Sequence, residues 1–200
     1  MLKVGLTGGL ACGKSFVGEE LERLGCRLIL ADDLGHRVLE PGGEAYDGVV
    51  REFGPDILEP DGRISRPRLA ARVFGNPERL AALNALVHPP VQRMEEERMA
   101  AWAAGNPHGI AVVEAAILIE TGSYRRFDRL ILVVCGEEQQ IERAVERGAA
   151  RDEVLARLRR QMPLAAKRKF AHYVIDTSGS KEETVAQTRR VYEELRRIAP

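Results

Sequence analysis

Residues Gly8-Gly9-Leu10-Ala11-Cys12-Gly13-Lys14-Ser15 constrain the fold of this chain more than any other stretch. They follow an apolar run, Leu2 to Leu6, and precede a helical pattern with apolar residues at Val17, Leu21 and Leu24. The spacing is G-x-x-x-x-G-K-S set between a strand end and a helix start, which suits a polyphosphate cradle. Glycines let the backbone wrap closely around an anion, with successive N–H groups pointing inward. The helix that follows directs its N-terminal partial positive charge at the same place. Lys14 is then expected at the β- and γ-phosphates, and the Ser15 hydroxyl on magnesium. This reading predicts that a nucleoside triphosphate binds here.

Beyond the loop, short apolar runs alternate with longer helical patterns, which predicts a parallel sheet covered by helices. The expected strands are Leu2–Leu6, Arg27–Leu30, Ile110–Val113, Arg129–Val134 and Tyr173–Ile175. The runs at Ile110 and Leu130 are nearly continuously apolar, as strands buried on both faces tend to be. A last helix is expected from about Ser180, with Glu183 three residues on as a capping box. Its apolar face runs through Val185, Thr188, Val191, Tyr192 and Leu195.

Between residues 41 and 106 the alternation stops. Helical patterns run through Glu44–Phe53, Arg66–Phe74, Glu78–Val87 and Val91–Ala104, separated by turns at Pro55, Pro60-Asp61-Gly62 and Pro77. Pro89-Pro90 reads as a break between the last two helices, with His88 just before it. The segment is expected as a helical insertion that seats a second substrate. Residues 141–170 carry nine basic residues against four acidic ones. Arg143 and Arg147 are four apart and share a helix face. Such a run is either a solvated amphipathic face or an arginine-bearing lid over phosphates.

Acids stand at two strand ends, where doubly wound sheets bind ligands. Asp32 and Asp33 follow the strand ending at Leu30. One could take a proton from an attacking hydroxyl, and either could cap the next helix. Glu114 ends the run Ile110–Val113, a position suited to orienting a magnesium-bound water.

The composition excludes several classes. Thirty basic residues balance thirty acidic ones, so bulk charge recommends neither nucleic acid nor an anionic membrane as partner. Three scattered cysteines, Cys12, Cys26 and Cys135, make neither a disulfide framework nor a zinc site. No secretory leader and no membrane span is visible, so a cytoplasmic protein is expected, as a monomer or weak homo-oligomer. Because Cys12 lies within the loop, its alkylation is expected to inhibit and ATP to protect.

In combination, these residues resemble the dephospho-coenzyme A kinases over essentially the whole chain. The likeness includes Gly5-Leu6-Thr7-Gly8-Gly9, Ala31-Asp32 ahead of Val38-Leu39-Glu40-Pro41-Gly42, and Asp61-Gly62 with Arg66. It continues through Leu83-Asn84-Ala85-Leu86-Val87-His88-Pro89, Ile117-Leu118-Ile119-Glu120, and Arg143, Arg147, Arg157, Gln161 and Lys167. The resemblance implies a three-layer α/β phosphate-loop NTPase fold. Its parts would be a core of 1–40, 107–140 and 171–200, an acceptor-binding insertion of 41–106 and a lid of 141–170. It implies transfer of the γ-phosphoryl of ATP, with Mg2+, to the ribose 3′-hydroxyl of dephospho-coenzyme A.

By residue, the resemblance makes Asp32 the catalytic base, aided by Lys14, Arg143 and Arg147. ATP would be held by Gly8, Gly9, Ala11, Cys12, Gly13, Lys14, Ser15, Phe16 and Arg143, and the acceptor by Asp32, His88, Pro89, Leu118 and Glu120. Ser15 and Glu114 would serve the metal. The chain departs from the family pattern at Leu30, Ala11, Cys12, Phe16, Ala116, His172 and Thr177. Alanine at position 11 is strained if its φ must be positive. The rival readings are a phosphate-loop kinase for another small acceptor, such as a nucleotide, and a non-catalytic nucleotide-binding switch. The chain has no Asn-Lys-x-Asp guanine signature, which argues against a GTPase switch.

Overall fold

Apolar residues on alternate positions of Leu2–Gly8 point Leu2, Val4 and Leu6 to one side of a strand, and that strand becomes the middle of a sheet. The computed structural model describes residues Met1–Pro200. In chain order the strands are β1 (Leu2–Gly8), β2 (Arg27–Leu30), β3 (Ile110–Glu114), β4 (Arg129–Val134) and β5 (Tyr173–Asp176). The helices are α1 (Lys14–Arg23), α2 (Ala31–Val38), α3 (Tyr46–Phe53), α4 (Arg66–Val73), α5 (Pro77–Gly105), α6 (Glu137–Glu146), α7 (Arg151–Arg160), α8 (Leu164–Lys167) and α9 (Lys181–Ile198). All five strands are parallel in the order β2-β3-β1-β4-β5, with Val4 level with Val112 and Leu6 level with Ile131.

The chain divides into two compact units, Met1–Leu30 with Met99–Pro200, and Ala31–Arg98. In the first unit, one sheet face carries Leu2, Val4, Leu6, Val112, Ile131, Val133 and Ile175. These pack with Val17 and Leu21 of α1 and with Val191 and Leu195 of α9. Each such side chain removed from water contributes about 1.5–3 kcal/mol. On the opposite face Gly5 sits under Leu118, Phe127 and Leu130, and a Cβ there would meet all three within 3.0 Å. Helix α9 begins with the expected box. The Ser180 hydroxyl accepts from Glu183 N at 3.1 Å, and Ser180 N donates back to the Glu183 carboxylate at 2.9 Å. A cap of this kind contributes about 1 kcal/mol. The buried stripe of α9 is Thr184, Thr188, Val191 and Leu195, with Val185 and Tyr192 half-buried beside it.

The second unit is helical, with Leu34, Val38, Val49, Phe53, Ile57 and Leu69 buried. Arg79 lies over the Phe53 ring at 4.6 Å and pairs with Glu52 at 2.7 Å. A cavity of about 380 Å3 opens in this unit beside His36, Glu40, Arg63 and Arg66. One expectation is corrected here: Pro89-Pro90 does not separate two helices. Helix α5 runs through both prolines, although they have no N–H to donate to Ala85 and Leu86. From the second proline on, the buried stripe Pro90, Val91, Glu95 and Met99 keeps helical spacing, and packing along it offsets the two missing bonds.

Candidate active site

The loop between β1 and α1 takes its shape from two left-handed residues, Ala11 at φ 53° and Gly13 at φ 79°. Glycine adopts such a φ freely; alanine does so at a cost of about 1–2 kcal/mol. Replacing Ala11 by glycine is therefore expected to leave ATP affinity unchanged. It should raise stability by about 0.5 kcal/mol, the strain relieved less the added freedom of the unfolded chain, read as a Tm rise of about 1–2 °C. Gly9 is needed for close approach. A Cβ there would lie 2.6 Å from Gln140 Oε1 and 2.8 Å from Cys12 Sγ.

The loop is tied on several sides. Lys14 Nζ donates to Gly9 O at 3.0 Å, and Leu10 N donates to Gln161 Oε1 at 3.2 Å. Leu10 and Ala11 pack against a small apolar cluster of Ile141, Ala144 and Val154 from α6 and α7. The apolar side of the basic segment thus packs on the phosphate loop, while Arg147, Arg151, Arg157, Arg159 and Arg160 are exposed. Arg143 donates to Thr177 Oγ1 at 3.1 Å and to Thr177 O at 2.7 Å, and Thr177 Oγ1 donates to Cys12 O at 2.9 Å. The threonine that departs from the family pattern thereby links α6, the end of β5 and the loop. His172, another departure, accepts from Leu130 N at 3.0 Å and returns its own N–H to Leu130 O at 2.9 Å. Arg147, at the end of α6, is exposed.

The Ser15 hydroxyl donates to Glu114 Oε1 at 3.0 Å. Two hard oxygen donors therefore stand together at the start of α1 and the end of β3, a donor set that suits Mg2+. Gly18 makes the approach possible, since a Cβ there would lie 3.0 Å from Glu114 Oε2. Phe16, in the first turn of α1, is half-buried.

The remaining expected residues fall in different settings. Leu118 is buried over Gly5. Glu120 forms an ion pair with the fully buried Lys167 at 2.7 Å and accepts from Met162 N at 3.3 Å. In the second unit, Asp32 and Asp33 are exposed in the first turn of α2, which starts directly after β2 at Ala31 rather than near Leu34. Both acids thus lie inside the helix and neither precedes it as a cap, and they face its positive end. His88 is half-buried within α5, and burial holds its imidazole below the ordinary histidine range, while Pro89 is exposed.

Cys12 is fully buried, and the touching thiol of Cys135 together with burial pushes its own thiol pKa up. The expectation that Cys12 is the readily alkylated residue is therefore corrected. Cys135, at the end of β4, has its pKa lowered to about 7. Sequence reasoning also passed over Cys135, Gln139 and Gln140. The available signal was their place between the end of β4 and Arg143. Gln139 Nε2 donates to Ser178 O at 2.9 Å, and Gln140 is buried beside Gly9.

A parallel sheet whose central strand runs into a G-x-x-x-x-G-K-S loop, with a neighbouring strand placing an acid on the loop serine, defines a phosphate-loop kinase of the three-layer α/β class. A dephospho-CoA kinase family model matches residues 2–183, and the chain belongs to that family. It is 39% identical over 197 residues to the dephospho-CoA kinase of Aquifex aeolicus, covering 98% of this chain and 99% of that one. Among solved structures it resembles TT1252 from Thermus thermophilus, with a TM-score of 0.85, 34% identity and 96% of each chain covered. It also resembles the dephospho-CoA kinase from Campylobacter jejuni, with a TM-score of 0.72, 25% identity and 98% and 97% covered. No helix is long and apolar enough to cross a membrane.

Proposed function

We propose that this chain transfers the γ-phosphoryl group of ATP to the ribose 3′-hydroxyl of dephospho-coenzyme A, giving coenzyme A and ADP. The observation that carries this reading is the family membership over residues 2–183 joined to a complete phosphate loop with Ser15 on Glu114.

In this reading the N–H groups of Gly9, Ala11 and Gly13 and the N-terminus of α1 receive the β- and γ-phosphates. Lys14 turns from Gly9 O to the transferring phosphoryl. Arg143 and Arg147 add cationic charge as charge develops on the equatorial oxygens. Arg143 is supported by its two bonds to Thr177, which hold the guanidinium plane beside the loop. Ser15 and Glu114 would hold Mg2+, which when bound neutralises phosphate charge. Asp32 orients the 3′-hydroxyl and takes its proton. In the chain it follows the end of β2 by two residues, and doubly wound sheets bind ligands beyond the carboxyl ends of their strands. The residues assigned to the acceptor in this reading are Asp32, His88, Pro89, Leu118 and Glu120. A neutral His88 serves there as a hydrogen-bonding group rather than a cation.

The test is a panel of acceptors with ATP and Mg2+: dephospho-coenzyme A, adenosine, AMP and shikimate. Turnover is expected with the first alone. Turnover with AMP or adenosine instead would move the chain to another acceptor class.

A further inference from the structure

We propose that Cys12 and Cys135 form a dithiol site which a hydroperoxide closes to an intrachain disulfide, disabling the phosphate loop for nucleotide. The proposal goes beyond the acceptor assignment and rests only on the loop and its neighbours.

The two sulfurs, one inside the loop and one just past the C-terminal end of β4, are 3.4 Å apart. All three cysteines are free thiols. A disulfide needs about 2.05 Å, so closure asks the sulfurs to approach by only about 1.4 Å. Cys135 is 8% exposed and lines a cavity of about 490 Å3 together with Gly9, Gln140 and Gln161, which gives a small peroxide a route to its sulfur. Cys12 is 0% exposed, so it meets Cys135 rather than solvent.

The surroundings separate the two thiols into attacker and resolver. The Cys12 thiol, the Arg143 guanidinium and the Thr177 hydroxyl favour the Cys135 thiolate, against its partial burial and the Asp176 carboxylate; its pKa is lowered to about 7. When Cys135 ionises, Cys12 remains protonated and donates its S–H to that thiolate. Nearby Lys14 opposes the rise in the Cys12 pKa without overcoming it.

The reaction has two steps. The Cys135 thiolate attacks one peroxide oxygen, the O–O bond breaks, and the alkoxide or hydroxide leaves with a proton, giving a Cys135 sulfenic acid. The Cys12 sulfur then attacks the Cys135 sulfur, the S–O bond breaks, and the oxygen leaves as water with the Cys12 proton. In total two thiols and one hydroperoxide give one disulfide, one alcohol or water, and one water. The bond draws Cys12 towards β4 while its carbonyl stays on Thr177 and its N–H on Gly9 O at 3.4 Å. The loop therefore twists between those anchors. A displacement near 1 Å at a phosphate-positioning loop costs about 100-fold in rate.

The experiment treats the whole reduced protein with hydrogen peroxide, blocks remaining thiols, and reads intact mass, linked peptides and ATP affinity by calorimetry. The expected result is loss of two hydrogens, a peptide joining Cys12 to Cys135, and ATP binding clearly weakened and restored by dithiothreitol. The rate of linking should rise about tenfold from pH 6 to pH 8, following the thiolate fraction of Cys135. Cys26 serves as the internal control, because burial pushes its thiol up to about 12. The variant Cys135→Ser should bind ATP normally and resist peroxide. Absence of the linked peptide, a linked protein that still binds ATP fully, or equal loss in Cys135→Ser would each overturn the proposal. The mass and linkage are read on the unaltered chain, so the test stands even if the variant folds poorly. No readout uses dephospho-coenzyme A, so failure here leaves the acceptor assignment untouched.

Discussion

Asp32→Asn is expected to lower kcat by about 10²–10⁴-fold, the usual contribution of a positioned general base, while the Kd for ATP stays within about twofold. The amide keeps the size of the carboxylate but cannot accept the proton of the 3′-hydroxyl. It also removes a charge from the first turn of α2, which costs only about 0.3–1 kcal/mol of helix stability and no chemistry. Asp33→Asn is the matched control. It removes the same charge from the same turn and should leave kcat near that of the parent protein. Steady-state kinetics with dephospho-coenzyme A, set beside ATP titration, separates the two. If Asp32→Asn weakens ATP binding and turnover in equal measure, the base role is wrong.

Lys167→Met is the second large effect. Lys167 is completely buried, its ammonium 2.7 Å from Glu120 and 3.5 Å from Ala116 O, and the Glu120 side chain is 21% exposed. Removing the lysine charge leaves a largely desolvated carboxylate with only Met162 N as partner, for a loss of about 3 kcal/mol. In a chain of this length that is a fall in Tm of about 6–12 °C. The double variant with Glu120→Gln should recover part of the loss, because the stranded charge is gone. Thermal unfolding of the two single variants and the double variant measures this. Additive losses would mean that the pair is not coupled. The same pair fastens residues 162–167 to the segment after β3, so the Lys167→Met protein is also expected to raise the KM for ATP through the Gln161 contact with Leu10.

Contiguous features were the most readable in the sequence. The strands at Arg27–Leu30 and Arg129–Val134 match residue for residue: the buried apolar run of β4 pairs on both sides, and β2, at the sheet edge, is set off by the turn before it and the helix directly after it. The phosphate loop was readable for the same reason: its strand, glycines and helix lie within one short stretch. Helix α5 was misread at Pro89-Pro90, since the local cost of two missing donors is plain in the sequence and the compensating stripe is spread over ten residues. The contacts around the loop were hidden by topology. Cys135 and Thr177 reach it only because β4 pairs with both β1 and β5, a register that no local spacing encodes. Ala11 is the intermediate case. Its strain was conditional on a φ that the sequence could not supply, and the loop adopts that φ.

The central claim is tested most directly by ADP release from ATP and Mg2+ with and without dephospho-coenzyme A, with the new phosphate located by 31P NMR. The account predicts strong stimulation by the acceptor and one product phosphorylated at the ribose 3′ position. ADP release that is indifferent to dephospho-coenzyme A, or a phosphate at any other position, would contradict it.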